Sequence, residues 1–462
     1  MANPTAVILV VGLNRSLIGD ASPRIRAFAD AGAVTTLTPV LPAVTCSVQS
    51  SMLTGLAPSQ HGIVGNGWYD RDLAEIHFWK QSNHLVHGEK LWETARQRDR
   101  SITCLNMFWW FNMYSSAEYS VTPRPMYKAD GRKIPDIYSR PAALRDELQH
   151  ELGRFPLFHF WGPASSIKSS RWIADASMIV HRRLSPTLNL IYLPHLDYAL
   201  QKLGPEHPDI PRAVSEVDSV VGDLLDYFQQ RGVRVIIASE YGIEGVDDSV
   251  HINRLLRDEG GLRVREEQGL EMLDAGASDA FAVADHQIAH VYIKDHSKIA
   301  RYASFCRGIA GVEQVLDRDA QARIGLNHAR AGELVLIAES RRWFSYDYWL
   351  DDSRAPDFAR TVDIHRKPGY DPLELFMNPA LRAPKLQVTG KLLRRKLGFR
   401  TLLDVIPLDT RLVRGSHGRI DQAERLKPVL LTQADLAPPS PSVPCTHLRD
   451  LVLQHLGVAE AL

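Results

Sequence analysis

Four short apolar runs, separated by segments with helical periodicity, most constrain what this chain can fold into. The runs are continuous and rich in β-branched residues: AVILVVGL (6–13), ITCLNMF (102–108), LNLIYL (188–193) and VRVIIAS (233–239). Strands that are covered on both faces have this composition, which is typical of parallel sheets. The segments between the runs place apolar residues on one helical face, as 211–232 does. This alternation predicts an α/β fold with a mostly parallel central sheet flanked by helices.

The length of 462 residues is large for a single small domain, so we expect insertions in the α/β core. We predict that residues 1–287 form this core and that residues 288–345 form an inserted β-α-β-β subdomain. Residues 346–400 are rich in aromatic residues, prolines and charges, and we predict a cap or lid. Residues 401–462 are expected to return to the core and to end in a helix.

Bulk composition excludes some classes of function. The 54 basic and 54 acidic residues balance, so nothing in the net charge points to a nucleic-acid partner. The first apolar run is too short to span a bilayer and lacks a signal-peptide pattern, so we expect no stable membrane insertion. The four cysteines are far apart and form no CxxC pair. We therefore predict a cytoplasmic protein, and we leave the oligomeric state open.

One threonine stands where chemistry is expected. In PVLPAVTCSVQSSMLTG (39–55), Thr45 lies between a proline turn and an apolar helix. Ligands of parallel sheets bind where strands lead into helices, and a helix N-terminus attracts oxyanions through its free N–H groups and its dipole. We therefore consider Thr45 a candidate nucleophile. The alternative is that its hydroxyl only caps the helix.

The run PAVTCSVQSSMLTGLAPSQHGIVGN (42–66) resembles the nucleophile segment of the alkaline phosphatase superfamily, most closely its type I phosphodiesterase/nucleotide pyrophosphatase and phosphonoacetate hydrolase branches. Seven residues match that pattern in spacing: Pro42, Thr45, Thr54, Gly55, Pro58, His61 and Gly62. Further similar segments follow in the same order at 191–205, 236–243, 250–262 and 414–418. The resemblance covers most of the chain and implies an alkaline-phosphatase-like fold.

The resemblance also implies a threonine nucleophile beside two divalent metal ions. Of the metal ligands it implies, Thr45 and Asp197 are retained, Glu240 replaces an aspartate, and His417 or His365 fills the late histidine position. Other ligand positions depart from the pattern, because they hold Val11, Gln201 and Tyr241, and Val48 replaces a phosphate-holding asparagine. We therefore predict at most one tightly bound divalent metal ion per chain, zinc or manganese.

Three hypotheses about function remain open. In the first, the site recruits other histidines to bind one metal: His195, His251, His286, His290 or His365. In the second, a metal-free transferase or hydrolase uses Glu240 and Tyr241 to handle protons beside Thr45. In the third, the protein is a non-catalytic pseudoenzyme or binding scaffold. We favour a hydrolase that cleaves a small phosphate diester, pyrophosphate or phosphonate through Thr45.

Four other segments bear on the site or its surroundings. FWWFNMY (108–114) could supply an apolar wall, although core packing is the simpler explanation. Two basic loops could meet a phosphate: one with Arg124, Lys128, Arg132 and Lys133, and one with His365, Arg366 and Lys367. Cys46 could be a second nucleophile, but a buried cysteine is usually inert. The basic segment KLLRRKLGFR (391–400) could touch an anionic membrane surface, although we expect a plain packing helix there.

Overall fold

The computed structural model describes residues 2–459. Its central sheet has nine strands in the order β23-β2-β22-β11-β1-β10-β5-β6-β9. Their bounds are β1 Thr5–Val10, β2 Ala33–Thr38, β5 Cys104–Met107, β6 Tyr119–Pro123, β9 Ile137–Arg140, β10 Leu188–Leu193, β11 Arg234–Ala238, β22 Val429–Thr432 and β23 Ser442–Pro444. The central pairs β11-β1-β10-β5-β6 are all parallel, whereas β22 and β9 pair antiparallel. The predicted fold class is confirmed.

Strands β1 and β10 are buried along their whole length, which explains their continuous apolar sequences. Helices cover the sheet: α7, α9 and α14 pack against β10, β11 and β1 respectively, and α7 and α9 pack on each other. The α-helices are α1 Pro23–Ala31, α2 Thr45–Thr54, α3 Pro58–His61, α4 Leu91–Arg98, α5 Ala143–Leu152, α6 Leu157–Phe160, α7 Ile167–Leu184, α8 His195–Leu203, α9 Ile210–Gln229, α10 Ile252–Asp258, α11 Ile299–Arg307, α12 Arg318–Arg323, α13 Pro384–Lys396 and α14 Leu448–His455.

A second sheet of four strands has the order β16-β17-β19-β18. Its strands are β16 Ala280–Asp285, β17 Ile288–Ile293, β18 Val312–Leu316 and β19 Leu334–Ala338. The strands β17, β18 and β19 and the helix α11 lie within the predicted β-α-β-β subdomain. However, the predicted boundary at 288 falls inside the hairpin β16–β17, because residues 280–285 pair in full with β17. The run SDAFAVAD (278–285) contains no turn signal strong enough to separate β16 from the preceding core.

Short strand pairs connect these two sheets and their loops. They are β3 Gly67–Asp70 with β4 Glu75–Phe78, β7 Met126–Tyr127 with β8 Lys133–Ile134, β12 Glu244–Gly245 with β21 Gly415–Ser416, β13 Asp248–Val250 with β20 Arg342–Phe344, and β14 Val264–Glu267 with β15 Leu270–Leu273. In the pair β12–β21, the chain after β11 meets the segment that carries His417. Two distant parts of the sequence are therefore fixed against each other.

The segment predicted as a cap lies between these elements. Much of 346–376 is buried, although its regular structure consists of short 3₁₀ turns, because large aromatic side chains anchor it: Tyr346, Tyr348, Trp349 and Tyr370. The chain then exposes α13 and returns to the central sheet through β22 and β23. Within residues 2–459, no helix is both long enough and apolar enough to cross a lipid bilayer.

The glycine at 415 is required by a close approach of two backbones. A Cβ added there would lie 2.2 Å from the carbonyl oxygen of Leu200, in the helix α8. We expect Gly415→Ala to lower the free energy of unfolding by about 2 kcal/mol or more, because backbone atoms must move to relieve this overlap. Gly390→Ala in α13 is the control: a Cβ there meets nothing within 4 Å, and alanine favours a helix over glycine by about 1 kcal/mol. Urea unfolding of both variants measures the difference, and equal effects would contradict this account.

Candidate active site

Thr45 is the first residue of α2. Val44 is the N-cap, with an extended backbone (φ −130°, ψ 161°), and it provides no side-chain cap. The Thr45 hydroxyl points away from the helix and lies 3.2 Å from the hydroxyl of Tyr241. The alternative in which Thr45 only caps the helix is therefore not what the structure shows. Its hydroxyl belongs to a contact between α2 and the loop that follows β11.

A chain of hydrogen bonds runs from Thr45 into the protein. The Tyr241 hydroxyl donates to Asp197 Oδ1 at 3.3 Å, so its oxygen is free to accept from the Thr45 hydroxyl. Gln201 Nε2 donates to the other oxygen of Asp197 at 2.8 Å, and Tyr370 donates to Gln201 Oε1 at 2.8 Å. The five side chains are buried. The structure thus brings Thr45, Asp197 and Tyr241 together, as expected for one site.

The fold explains why these residues meet. Asp197 lies in the first turn of α8, directly after β10, and Tyr241 follows β11. Because β10 and β11 flank β1 and all three are parallel, their carboxyl ends open at the same edge of the sheet. Gln201 lies four residues after Asp197 on the same helix, so the two side chains share one helical face.

Glu240 lies beside this chain of hydrogen bonds. Its Oε1 accepts a hydrogen bond from Gln49 Nε2, and Gln49 is held in turn by the Trp110 backbone N–H at 2.6 Å. Burial raises the pKa of Glu240 to about 8, although the hydrogen bond from Gln49 favours the ionised form. Burial also raises the pKa of Asp197 to about 7. Two carboxyl groups next to Thr45 therefore titrate near neutral pH.

His417 completes the cluster and is the late histidine that lies next to Asp197. Its Nδ1 hydrogen bonds to the Ala43 carbonyl at 2.8 Å, which fixes the tautomer with a proton on Nδ1. Its Nε2 lies 3.8 Å from Asp197 Oδ1 and makes no hydrogen bond within the described structure. Burial lowers the pKa of His417 to about 3, so the imidazole is neutral. A free lone pair on Nε2 thus points toward Asp197.

Four rings form a column through the site. The His417 ring lies flat on Tyr241, with centroids 3.6 Å apart and planes within 8°. On its other side lies His286, also at 3.6 Å, and His286 stacks on Tyr370 at 3.7 Å. His286 occupies the turn between β16 and β17 with φ +62°. The column therefore joins the core, the small sheet and the cap segment.

The residues present do not fit the pair of four-ligand metal ions that the family resemblance implies. Within residues 2–459, no group of three or more His, Cys, Asp or Glu side chains is arranged to hold a metal ion. Val11 is apolar and fully buried, and Gln201 uses its amide on Asp197 and Tyr370. The Tyr241 hydroxyl contacts both Thr45 and Asp197, and a phenol is a weak ligand for divalent ions. Of the ligands that the resemblance names, Asp197 and His417 face each other, with Oδ1 and Nε2 3.8 Å apart.

The other histidines considered as ligands have different partners. His195 Nε2 lies 2.9 Å from Glu216, and His251 Nδ1 lies 2.9 Å from Asp347. His290 is held on both nitrogens by backbone groups, Val64 O at 2.9 Å and Gly332 N at 3.1 Å. Of the candidate ligands His195, His251, His286 and His290, His286 joins the site, through the ring column.

His365 lies apart from the cluster. Its ring is exposed, with Nδ1 3.3 Å from the Phe78 carbonyl and the ring 6.1 Å from that of Tyr127. Neither contact involves a site residue, so the structure offers His417 as the late histidine. The neighbouring Lys367 is buried in a salt-bridge cluster, 2.7 Å from both Asp371 and Glu374, which gives it a structural partner.

Four residues of the site were not identified from the sequence: Gln49, Asn66, Asp285 and Tyr370. Asn66 Oδ1 accepts from the Cys46 backbone N–H at 3.0 Å, and Asp285 accepts from the backbone N–H and the side chain of Asn66 at 2.7 and 3.0 Å. Asn66 is the last residue of HGIVGN (61–66), at the end of the segment that matches the family pattern, so the sequence could have identified it as a site residue. The amide side chains at α2 are thus Gln49, which lies in the helix, and Asn66, which bonds to its first turn. Val48, which stands in place of the asparagine of the pattern, is apolar and fully buried. Cys46 is also buried, which raises the pKa of its thiol well above the usual value and leaves it a poor nucleophile.

Comparison with solved structures identifies the fold. Murine ectonucleotide pyrophosphatase/phosphodiesterase 5 superposes with a TM-score of 0.60 at 13% identity, covering 99% of this chain and 96% of that one. Phosphonoacetate hydrolase from Sinorhizobium meliloti, solved with phosphonoformate, superposes with a TM-score of 0.63 at 15% identity over the same shares of the two chains. The protein is therefore of the alkaline-phosphatase-like α/β class that the sequence predicted.

A family model assigns the chain more narrowly. The model of type I phosphodiesterase/nucleotide pyrophosphatase matches residues 5–371, so the chain belongs to that family. An uncharacterised pyrophosphatase/phosphodiesterase of Schizosaccharomyces pombe is 25% identical over 48% of this chain and 39% of its own length. Ectonucleotide pyrophosphatase/phosphodiesterase family member 1 of Rattus norvegicus is 25% identical over 49% of this chain and 22% of its own length. The alignments thus span well under half of these curated relatives.

The carboxyl groups of the site predict how stability depends on pH. The folded-state pKa values of Asp197 and Glu240, and that of Asp285 at about 7, are raised above those of the unfolded chain. Each group is harder to ionise in the folded chain than in the unfolded chain. Stability therefore falls as pH rises from the unfolded-state pKa of about 4, and the fall ends above the folded-state pKa of about 7 to 8. We expect the free energy of unfolding to fall between pH 6.5 and 9, and Glu240→Gln to remove about 1 to 2 kcal/mol of that fall.

Urea unfolding at several pH values measures this dependence. The window starts at pH 6.5 because His417, whose pKa is lowered, acts in the opposite direction at lower pH. Glu75→Gln in β4 is the matched control, because Glu75 is exposed. If wild type and Glu240→Gln show the same pH dependence, Glu240 does not titrate in this range.

Proposed function

We propose that the protein hydrolyses a small phosphate diester, pyrophosphate or phosphonate, with Thr45 as the nucleophile. The observation that carries this proposal is the hydrogen-bonded chain from Thr45 through Tyr241 to Asp197. A hydroxyl is a weak nucleophile until a base takes its proton, and a base works best when its pKa lies near the working pH. Asp197, with a pKa of about 7, meets that condition.

In the first step, the Thr45 hydroxyl passes its proton to Tyr241, and Tyr241 passes its own proton to Asp197. A bond forms between Thr45 Oγ and phosphorus while the bond from phosphorus to the leaving oxygen breaks. The leaving oxygen takes a proton from Glu240, whose pKa of about 8 keeps it protonated near neutral pH. In the second step, water attacks the phosphorus and gives a proton to Glu240 while the bond from phosphorus to Thr45 Oγ breaks. Asp197 returns its proton through Tyr241 to the Thr45 oxygen, which restores the starting state of all four side chains.

The place of Thr45 supports a phosphorus substrate. The first turn of α2 presents backbone N–H groups and the positive end of the helix dipole, which favour an oxyanion. Among the structural neighbours, murine ectonucleotide pyrophosphatase/phosphodiesterase 5 was solved as an inactive threonine-to-alanine variant with AMP, and phosphonoacetate hydrolase with phosphonoformate. Both ligands carry a phosphorus oxyanion, and we extend that chemical class to this chain.

A second candidate function is a non-catalytic scaffold on the same fold. The observation that favours it is the burial of the whole site: Thr45, Glu240 and Tyr241 are covered, so a substrate reaches Thr45 only after neighbouring groups move. The retained hydroxyl and carboxyl groups favour the enzyme, because a scaffold has no use for two buried acids that cost free energy to bury. Substitution of Thr45 separates the two functions.

We expect Thr45→Ala to abolish hydrolysis of activated substrates such as p-nitrophenyl phosphodiesters and phosphonate esters, because the bond-forming oxygen is gone. Thr45→Ser keeps a hydroxyl and should retain part of the rate. Tyr241→Phe should lower kcat strongly and leave KM less affected, since it removes the link from Thr45 to Asp197 but no charge. Turnover across a panel of phosphate diesters, pyrophosphates and phosphonates measures these effects.

Ser50→Ala is the matched control on the same helix, because the Ser50 hydroxyl bonds only to the Cys46 carbonyl of its own helix. It should keep the wild-type rate. Thermal unfolding of each variant checks that activity is not lost through misfolding. A wild type without activity on the whole panel, or a Thr45→Ala variant as active as wild type, would sink the hydrolase proposal and favour the scaffold.

The metal content is a separate prediction. We propose at most one tightly bound divalent ion per chain, held by Asp197 and His417, because His417 Nε2 faces Asp197 Oδ1 and makes no hydrogen bond within residues 2–459. Such an ion would supply a positive charge beside the phosphorus oxyanion. Elemental analysis of protein purified without chelators should give one equivalent or less of zinc or manganese, and His417→Ala should give none. Two full equivalents would show that ligands were misassigned.

A further inference from the structure

The helix α13 and the residues after it form a strongly basic segment. From 375 to 403 the sequence holds no Asp or Glu and seven basic residues: Arg382, Lys385, Lys391, Arg394, Arg395, Lys396 and Arg400. The chain as a whole has no net charge, so this concentration is local. Such a segment raises the electrostatic potential over one part of the surface.

The apolar face of α13 is exposed, whereas a packing helix buries its apolar face. Leu386, Leu393 and Leu397 are spaced i, i+7 and i+11, so they share one face, and 74%, 56% and 67% of their surfaces are exposed. The predicted packing helix is therefore not observed, because its leucines turn to solvent.

The opposite face of α13 is anchored to the protein. Val388 packs on the cluster that contains Leu375 and Ile406. Lys391 pairs with Asp404, and Arg395 donates to the Thr401 carbonyl at 2.8 Å. These contacts fix the rotation of the helix about its axis. The leucine face thus points outward as a defined surface.

Further apolar side chains extend this surface. Phe399 and Leu402, which follow the helix, are exposed, and Arg400 donates to the Ala129 carbonyl at 2.8 Å. That bond places the β7–β8 hairpin, with exposed Tyr127, beside the end of α13. We call Leu386, Leu393, Leu397 and Phe399, with their flanking basic residues, the α13 patch.

We propose that the α13 patch binds an anionic lipid surface, with α13 lying in the plane of the interface. Amphipathic helices with a leucine face and flanking Lys and Arg bind there by burying the apolar face among the headgroups and pairing the cations with anionic lipids. Arg394 and Lys396 lie on either side of the leucine face and are exposed. Charge complementarity selects this occupant over a second copy of the chain, whose patch would bring like charges together. The binding is peripheral and independent of Thr45.

Vesicle sedimentation tests the proposal with the whole 462-residue chain. The probes are vesicles of phosphatidylcholine alone and vesicles with about 30% phosphatidylserine, an anionic lipid of the kind that attracts basic segments. We expect binding to the anionic vesicles, little binding to the neutral ones, and a loss of binding as NaCl is raised, since salt screens the attraction. Equal binding to both vesicles, or none to anionic vesicles at low salt, would overturn the proposal.

Two double variants separate the apolar and electrostatic contributions. Leu393→Ser with Leu397→Ser, and Arg394→Gln with Lys396→Gln, should each weaken binding to anionic vesicles by about tenfold or more. Leu73→Ser is the matched control, because Leu73 is an exposed leucine (62%) in a different hairpin, and it should bind as wild type does. Unchanged binding in both double variants would overturn the proposal.

Light scattering on the same samples tests the competing occupant. A monomer in solution that binds anionic vesicles agrees with the proposal. A dimer that dissociates in the leucine double variant, together with no vesicle binding by wild type, would assign the α13 patch to self-association instead.

Discussion

The site depends on one hydroxyl group, that of Tyr241. A carboxyl group buried without a cation is costly unless hydrogen bonds satisfy it or it takes up a proton. The Tyr241 hydroxyl donates to Asp197 and lies 3.2 Å from the Thr45 hydroxyl. Gln201 donates to the second oxygen of Asp197, and Gln49 donates to Glu240. Neutral hydrogen-bond donors thus contact both buried carboxyl groups. Gln201 and Tyr241 act together, because both donate to Asp197.

The same burial acts on acids and bases with opposite sign. It raises the pKa values of Asp197, Glu240 and Asp285 and lowers those of His286 and His417, so every group in the cluster favours its uncharged form. A neutral site can be packed as tightly as a hydrophobic core, which accounts for its lack of exposed surface. It also means that an anionic ligand would find hydrogen-bond donors and a helix end rather than formal positive charge.

The sequence predicted the central strands well because their apolar runs are long and continuous. It also predicted that Thr45, Asp197, Glu240 and His417 converge, because each follows a strand or lies in a matched motif. It did not predict Tyr370 or Asp285, whose hydrogen-bond partners Gln201 and Asn66 lie 169 and 219 residues away in the sequence. The sequence also did not predict that the apolar face of α13 is exposed, since helical periodicity identifies an apolar face but not what covers it.

The ring column makes access to the site and its acidity one coupled equilibrium. Tyr370 belongs to the cap segment, yet it holds Gln201, which in turn holds Asp197, and its ring covers His286. If the cap segment swings away, Gln201 loses its partner and water reaches the rings at the same time. Water lowers the desolvation that keeps Asp197 protonated, so opening strengthens the acid as it admits a ligand. By linkage, a change in pH that ionises Asp197 must favour the open conformation.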